Sequence, residues 1–144
     1  MSLDLRSDFL GPPTAAMVEA MAAAAMAPDG FGPREATAQR RLEAYAAQLL
    51  GKEDALFFPT CTAANLAAVL AQTAPGETVV ADAESHCLLS EAGGLAAVGG
   101  VMVRSLAGEA GMLPLEELAE ALAVTPDVQR QPVRLVLLET THNR

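Results

Sequence analysis

Val133-Arg134-Leu135-Val136-Leu137-Leu138-Glu139 decides the fold. It is nearly continuous in apolar residues, so it reads as a strand buried on both faces, the pattern of a parallel sheet covered by helices. Working backwards, Val101-Met102-Val103-Arg104 and Thr78-Val79-Val80-Ala81-Asp82 read as two further strands, the latter launched by a Pro75-Gly76 turn. Ala55-Leu56-Phe57-Phe58-Pro59 reads as a short buried strand. Helical stretches separate them: Thr62 to Gln72, Leu88 to Val98 (interrupted by Gly93-Gly94), and Leu115 to Ala123 with Glu116, Glu117 and Glu120 on its wet side. Strands alternating with helices predict βαβ units and an α/β fold with a mostly parallel sheet flanked by helices.

Two helices precede these units. One is expected from Pro13 to Met26, where proline suits a first helical turn. The other runs from Ala36 to Leu50, with Leu42, Tyr45, Ala46, Leu49 and Leu50 at helical spacing and Gly51 as its C-cap. Pro28 to Pro33 is a loop. No internal repeat is visible.

Composition excludes several classes. The chain has 144 residues, 51% of them apolar, which is too many for a disordered chain. Its 18 acidic and 9 basic residues give a net charge of −9, the wrong sign for a nucleic-acid binder. One tyrosine and four phenylalanines make a base-stacking platform improbable. No apolar run reaches the roughly 18 residues of a membrane span. Met1-Ser2-Leu3-Asp4-Leu5-Arg6 lacks a charged-then-apolar leader layout. Cys61 and Cys87, pooled with His86 and His142, are separated by 25, 1 and 55 residues, so no metal site and no disulfide is expected. The cytoplasm is the expected compartment.

Parallel sheets place ligands at the carboxyl ends of their strands. The residues to read are therefore Thr60 to Thr62, Asp82 to His86, and Glu139 to Arg144. All the histidines and cysteines lie in or beside these places. A strand followed by Thr60-Cys61-Thr62 and a helix start has the layout of an anion site; the same hydroxyls equally suit a plain helix cap. His86 could stack on a flat cofactor, act as acid or base, or simply bond to backbone at a helix start. His142 has the same alternatives. Glu139 ends a buried strand, and a carboxylate there needs partners. Lys52, the single lysine, follows Gly51 and reads as a solvated turn residue.

Five stretches resemble L-threonine aldolases in order: Asp4-Leu5-Arg6-Ser7-Asp8; Leu49-Leu50-Gly51-Lys52-Glu53; Phe58-Pro59-Thr60-Cys61-Thr62-Ala63-Ala64-Asn65; His86 followed by Glu91-Ala92-Gly93-Gly94; and Leu138-Glu139-Thr140-Thr141-His142-Asn143. These belong to the β-eliminating lyases, pyridoxal-phosphate enzymes of fold type I. The resemblance covers the whole chain but only the first part of the family's length. It implies that Thr60, Cys61 and Thr62 cradle the cofactor phosphate and that His86 stacks on the pyridine face. It implies that Ser7 contacts substrate, and that His142 is a second active-site histidine near the substrate hydroxyl, whose proton must leave on aldol cleavage. Glu91 matches a recurring position with no role derived from it. Cys61 stands where the family usually has glycine, and the Thr37-to-Leu42 region is one residue longer than the common pattern.

By resemblance, the Schiff-base lysine, the acidic partner of the pyridine nitrogen and the arginines for the substrate carboxylate lie beyond residue 144. Strands expected to flank Ala55 to Pro59 lie there too. The expectation is a single incomplete α/β domain, with 1–50 a helical segment and 51–144 the first four strands of a cofactor-binding domain. Such a chain is expected to fold poorly alone, or to depend on a partner: a homo-oligomer or a complementing C-terminal chain. The expected activity is pyridoxal-phosphate-dependent cleavage of threonine-like β-hydroxy-α-amino acids to glycine and an aldehyde. The alternatives are a β-eliminating lyase on another amino acid, a non-catalytic truncated or split fragment, and a small α/β binding module.

Overall fold

Thr14 opens the first helix: its Oγ1 accepts the Met17 backbone N–H at 3.3 Å, and α1 runs over Ala15–Met26. In this computed structural model residues 10–27, 30–32, 34–125 and 127–142 are described. The chain divides into two units, residues 1–57 and 58–144.

In the first unit, α1 buries no side chain, and Met17, Met21 and Met26 are exposed. The second helix, α2 (Thr37–Leu50), ends on Gly51 in the left-handed conformation, φ 61°, as the sequence predicts. Its buried positions are Glu43 and Ala47, while Leu42, Tyr45, Leu49 and Leu50 of the apolar stripe are exposed. Glu43 is the hub of this unit. Its carboxylate accepts from Gln39 Nε2 at 2.9 Å, from Phe57 N at 2.9 Å and from Arg34 Nε at 3.2 Å. Arg34 also meets Asp54 through two bonds of 3.0 Å.

The expected strand over Ala55 to Pro59 is not formed. Leu56 and Phe57 are 55% and 48% exposed. A strand exists only as half of a ladder, and among the described residues nothing pairs with this one. Its backbone is served by side chains instead: Glu43 takes Phe57 N, and Arg34 donates to Ala55 O at 3.3 Å. The sheet therefore has three described strands rather than four.

The second unit begins its regular structure with α3 (Cys61–Gln72), then β1 (Thr78–Asp82), α4 (His86–Leu89), α5 (Gly94–Ala97), β2 (Met102–Leu106), α6 (Leu115–Leu122) and β3 (Val133–Val136). The stretch expected as one helix from Leu88 to Val98 is broken into α4 and α5, with Ala92 and Gly93 at φ 53° and 70° between them. The sheet order is β2-β1-β3, and β1 runs parallel to both neighbours. The centre is β1, whose Val79, Val80 and Ala81 are fully buried.

Alternation along β1 divides the core. Val79 and Ala81 pack with Val69 of α3, Leu95 of α5, Cys87 and Val101. Val80 packs on the other face with Leu106, Leu113 and Ala121 of α6. The 133–139 stretch is only half-buried, which corrects the expectation of burial on both faces. Its side chains do reach both clusters, Leu135 and Leu137 on one and Val133 and Val136 on the other. An outer strand has cover on one flank only, so the full burial that its composition suggested falls to β1.

Candidate active site

The carboxyl end of β1 builds the site. Asp82 ends the strand, and Ser85 caps the turn that follows by donating Oγ to Asp82 O at 2.8 Å. This turn starts α4 at His86. The His86 backbone N–H donates to Glu139 Oε2, just past β3, so Glu139 has the partner its position requires. The His86 ring is held separately: Nδ1 lies 2.8 Å from Glu91 Oε1. Asn65 of α3 donates Nδ2 to that same oxygen at 2.8 Å. Glu91 is buried, whereas the His86 side chain is 39% exposed.

The exposed part of His86 faces a cavity of about 360 Å³. Cys61 and Asn65 line one side, Ser85 and Cys87 flank the histidine, and residues 137–141 close the other side. Cys61 and Asn65 are four residues apart on α3, which puts them on one face of the helix. Burial pushes the Cys87 thiol up from its ordinary range. The Glu91 and Glu139 carboxylates push the same way, against the hydrogen bond from Ser85. Cys87 is thus a packing residue rather than a thiolate.

Thr60 caps α3, its Oγ1 accepting Ala63 N at 3.1 Å. The cap uses an oxygen lone pair and leaves the hydroxyl proton available to an anion. Thr62 is exposed in the first turn of α3. His142 does not line the cavity. Its Nε2 lies 3.5 Å from Asp82 Oδ1, and both side chains are 6% exposed. The structure therefore gathers Cys61 and His86 into one cavity and places His142 with Asp82. Ser7 lies outside the described residues. Lys52 is exposed in the first unit, at the end of α2.

The sequence reading assigned no role to Asn65 or Asp82. Both were visible as polar residues beside the strand-end segments, but only the tertiary contacts give them partners. Asp82 holds the 107–112 turn as well, its Oδ2 accepting Gly108 N at 2.9 Å, while its Oδ1 accepts Glu84 N at 2.8 Å in the turn after β1.

The profile of the beta-eliminating lyases matches residues 4–144. The chain belongs to the β-eliminating lyase family. This family is one of pyridoxal-phosphate enzymes of fold type I. A low specificity L-threonine aldolase of Escherichia coli (strain K12) is 40% identical over 143 residues, covering 98% of this chain and 42% of that protein. A low-specificity L-threonine aldolase of Arabidopsis thaliana is 38% identical over 98% of this chain and 40% of its own length. An alanine racemase of Cochliobolus carbonum is 32% identical over 96% of this chain and 36% of its own length. The chain thus spans about two fifths of the length of these two aldolases. Among the described residues, no helix is long and apolar enough to cross a membrane and no cluster of three potential metal ligands occurs.

Proposed function

We propose that this chain supplies the front part of the active site of a pyridoxal-phosphate-dependent lyase that cleaves threonine-like β-hydroxy-α-amino acids to glycine and an aldehyde. The observation that carries this reading is a partly exposed imidazole, His86, anchored by two carboxylates beside a cavity at the carboxyl end of a parallel strand. Such a ring, fixed at its backbone and at Nδ1, can offer a flat face to a flat ligand. The cavity volume falls within the range of small-molecule sites, roughly 300–1,000 Å³.

The residues present suit part of the cofactor's needs. The first turn of α3 turns backbone N–H groups and the positive end of the helix toward an anion, with the Thr60 and Thr62 hydroxyls and Cys61 beside it. These would hold the phosphate, and His86 would lie against the ring. When bound, pyridoxal phosphate supplies the electron sink for the bond that breaks. Ser7 would contact the substrate. His86 and His142 are the candidates to receive the hydroxyl proton; His86 is the one on the cavity. No lysine lines this cavity. A lysine for the cofactor would come from a complementing C-terminal chain or from further residues of the same protein. Further partners would include a second copy, in a homo-oligomer; the expected compartment is the cytoplasm.

A second reading is lysis or another pyridoxal-phosphate reaction on a different amino acid. The alanine racemase among the relatives favours keeping it, because a similar front part there belongs to a protein named for another reaction. Co-expression decides. The chain would be produced with the remaining three fifths of the E. coli relative, and threonine and alanine offered with pyridoxal phosphate. Glycine and acetaldehyde from threonine support the first reading. Alanine racemisation without glycine supports the second. A co-purified pair that binds no cofactor rejects both.

A further inference from the structure

Glu91 Oε1 is approached by two groups, His86 Nδ1 and Asn65 Nδ2, each at 2.8 Å. A carboxylate oxygen only accepts hydrogen bonds. Both neighbours must therefore donate. The end of the Asn65 amide that faces Glu91 is its NH2 group, and Nδ1 of His86 carries a hydrogen. A neutral imidazole has one ring proton, so its lone pair then sits on Nε2.

We infer that Asn65 and Glu91 are positioning residues that lock His86 in its Nδ1–H tautomer, leaving Nε2 as the accepting nitrogen of the ring. Asn65 contributes by occupying a lone pair of the same oxygen and anchoring it to α3. A buried carboxylate with a single donor is free to turn its other oxygen toward the ring, or to take up a proton and donate to Nδ1 instead. With two donors fixed on one oxygen, that freedom is lost. The arrangement also couples two parts of the site. Asn65 shares a helix face with Cys61, so the helix that begins at the Thr60 cap also sets the proton on the ring. A ligand group that donates a hydrogen bond, such as a hydroxyl, is favoured at Nε2 over one that only accepts. That last consequence rests on the function proposed above; the proton placement does not.

The test is ring nitrogen NMR on the full 15N-labelled chain, about two pH units above the ordinary histidine value of about 6.5. The wild type is expected to give a single Nδ1–H pattern for His86. Asn65→Leu and Glu91→Ala are expected to lose it and show a mixture of tautomers, with the β1 and β2 amide signals unmoved. If Asn65→Leu unfolds, Asn65→Ala, which also removes the NH2 donor and adds no charge, makes the same comparison. An Nε2–H pattern in the wild type overturns the inference. An unchanged pattern in the folded Asn65 variant overturns the part given to Asn65. Titration with pyridoxal phosphate of the labelled chain co-expressed with the remaining three fifths of the E. coli relative separates the two readings: an intact Nδ1–H pattern without cofactor binding counts against the proposed function alone.

Discussion

His142 Nε2 lies 3.5 Å from Asp82 Oδ1, a buried pair that joins the segment after β3 to the end of β1. The ring has little room. A side chain at Gly111, at φ 80°, would place its Cβ 2.8 Å from the His142 ring, and one at Gly108 would come 2.1 Å from Asp82 Oδ2 and 2.5 Å from Met112 O. Two glycines therefore let the 107–112 turn close over the pair.

Gly108→Ala must displace that turn or the carboxylate, because backbone lies on one side of the new methyl group and Asp82 on the other. Overpacking of this kind costs about 1–3 kcal/mol. A urea titration followed by circular dichroism is expected to show the loss, and an unchanged midpoint would count against the packing described.

Glu91→Ala removes the shared acceptor of Asn65 and His86. Both donors are only half-buried, so the loss is that of two hydrogen bonds to a charged group, each worth about 1.5–3 kcal/mol at most. The same titration measures it. Pyridoxal phosphate affinity is expected to fall as well, because the His86 ring loses its anchor at Nδ1.

Leu95 and Leu138 give a contrast within one unit. Leu95 belongs to the buried cluster of Val69 and Val79, whereas Leu138 is 72% exposed. Leu95→Ala is expected to destabilise by about 2–5 kcal/mol, and Leu138→Ala by no more than about 0.5 kcal/mol. Equal effects would mean that the second unit does not pack around β1.

The first unit is expected to loosen in acid. Hydrogen bonds from Gln39 and Phe57, with Arg34 nearby, hold the Glu43 carboxyl below its ordinary value of 4.5. The Arg34 hydrogen bond does the same for Asp54, below 3.8. Both folded values are depressed, so these groups stabilise the fold above the ordinary values, and that stability drains away as pH falls through the folded ones. Exchange of the Phe57 amide hydrogen reports it: protection should decline from about pH 4.5 downward, and Glu43→Gln should flatten the dependence.

Cys61 is exposed and Cys87 buried. One thiol per chain is expected to react with a disulfide reagent under native conditions, and two in denaturant. Two reactive thiols in the folded chain would show that the β1–α4 junction opens.

Much of the fold was legible locally. Apolar β-branched runs at 78–82 and 133–136 gave strands, the Gly51 turn gave a helix end, and Glu139 announced its need for a partner. These signals depend on neighbours in sequence: propensity, caps and periodicity. The Ala55 to Pro59 stretch carries the same apolar signal and is no strand, because a ladder needs a second backbone that no local pattern supplies.

Residue chemistry by itself marked His86 and His142 as alike, each a histidine just past a strand end. The sequence determined that they are there, along with Glu91 and Asp82. Only the packed chain separated them, giving His86 to a cavity with Glu91 and Asn65, and His142 to Asp82 in a buried pair. The reason is physical. A strand's two faces diverge at its end, and partners 5, 26 and 60 residues away in sequence meet only when the sheet has formed.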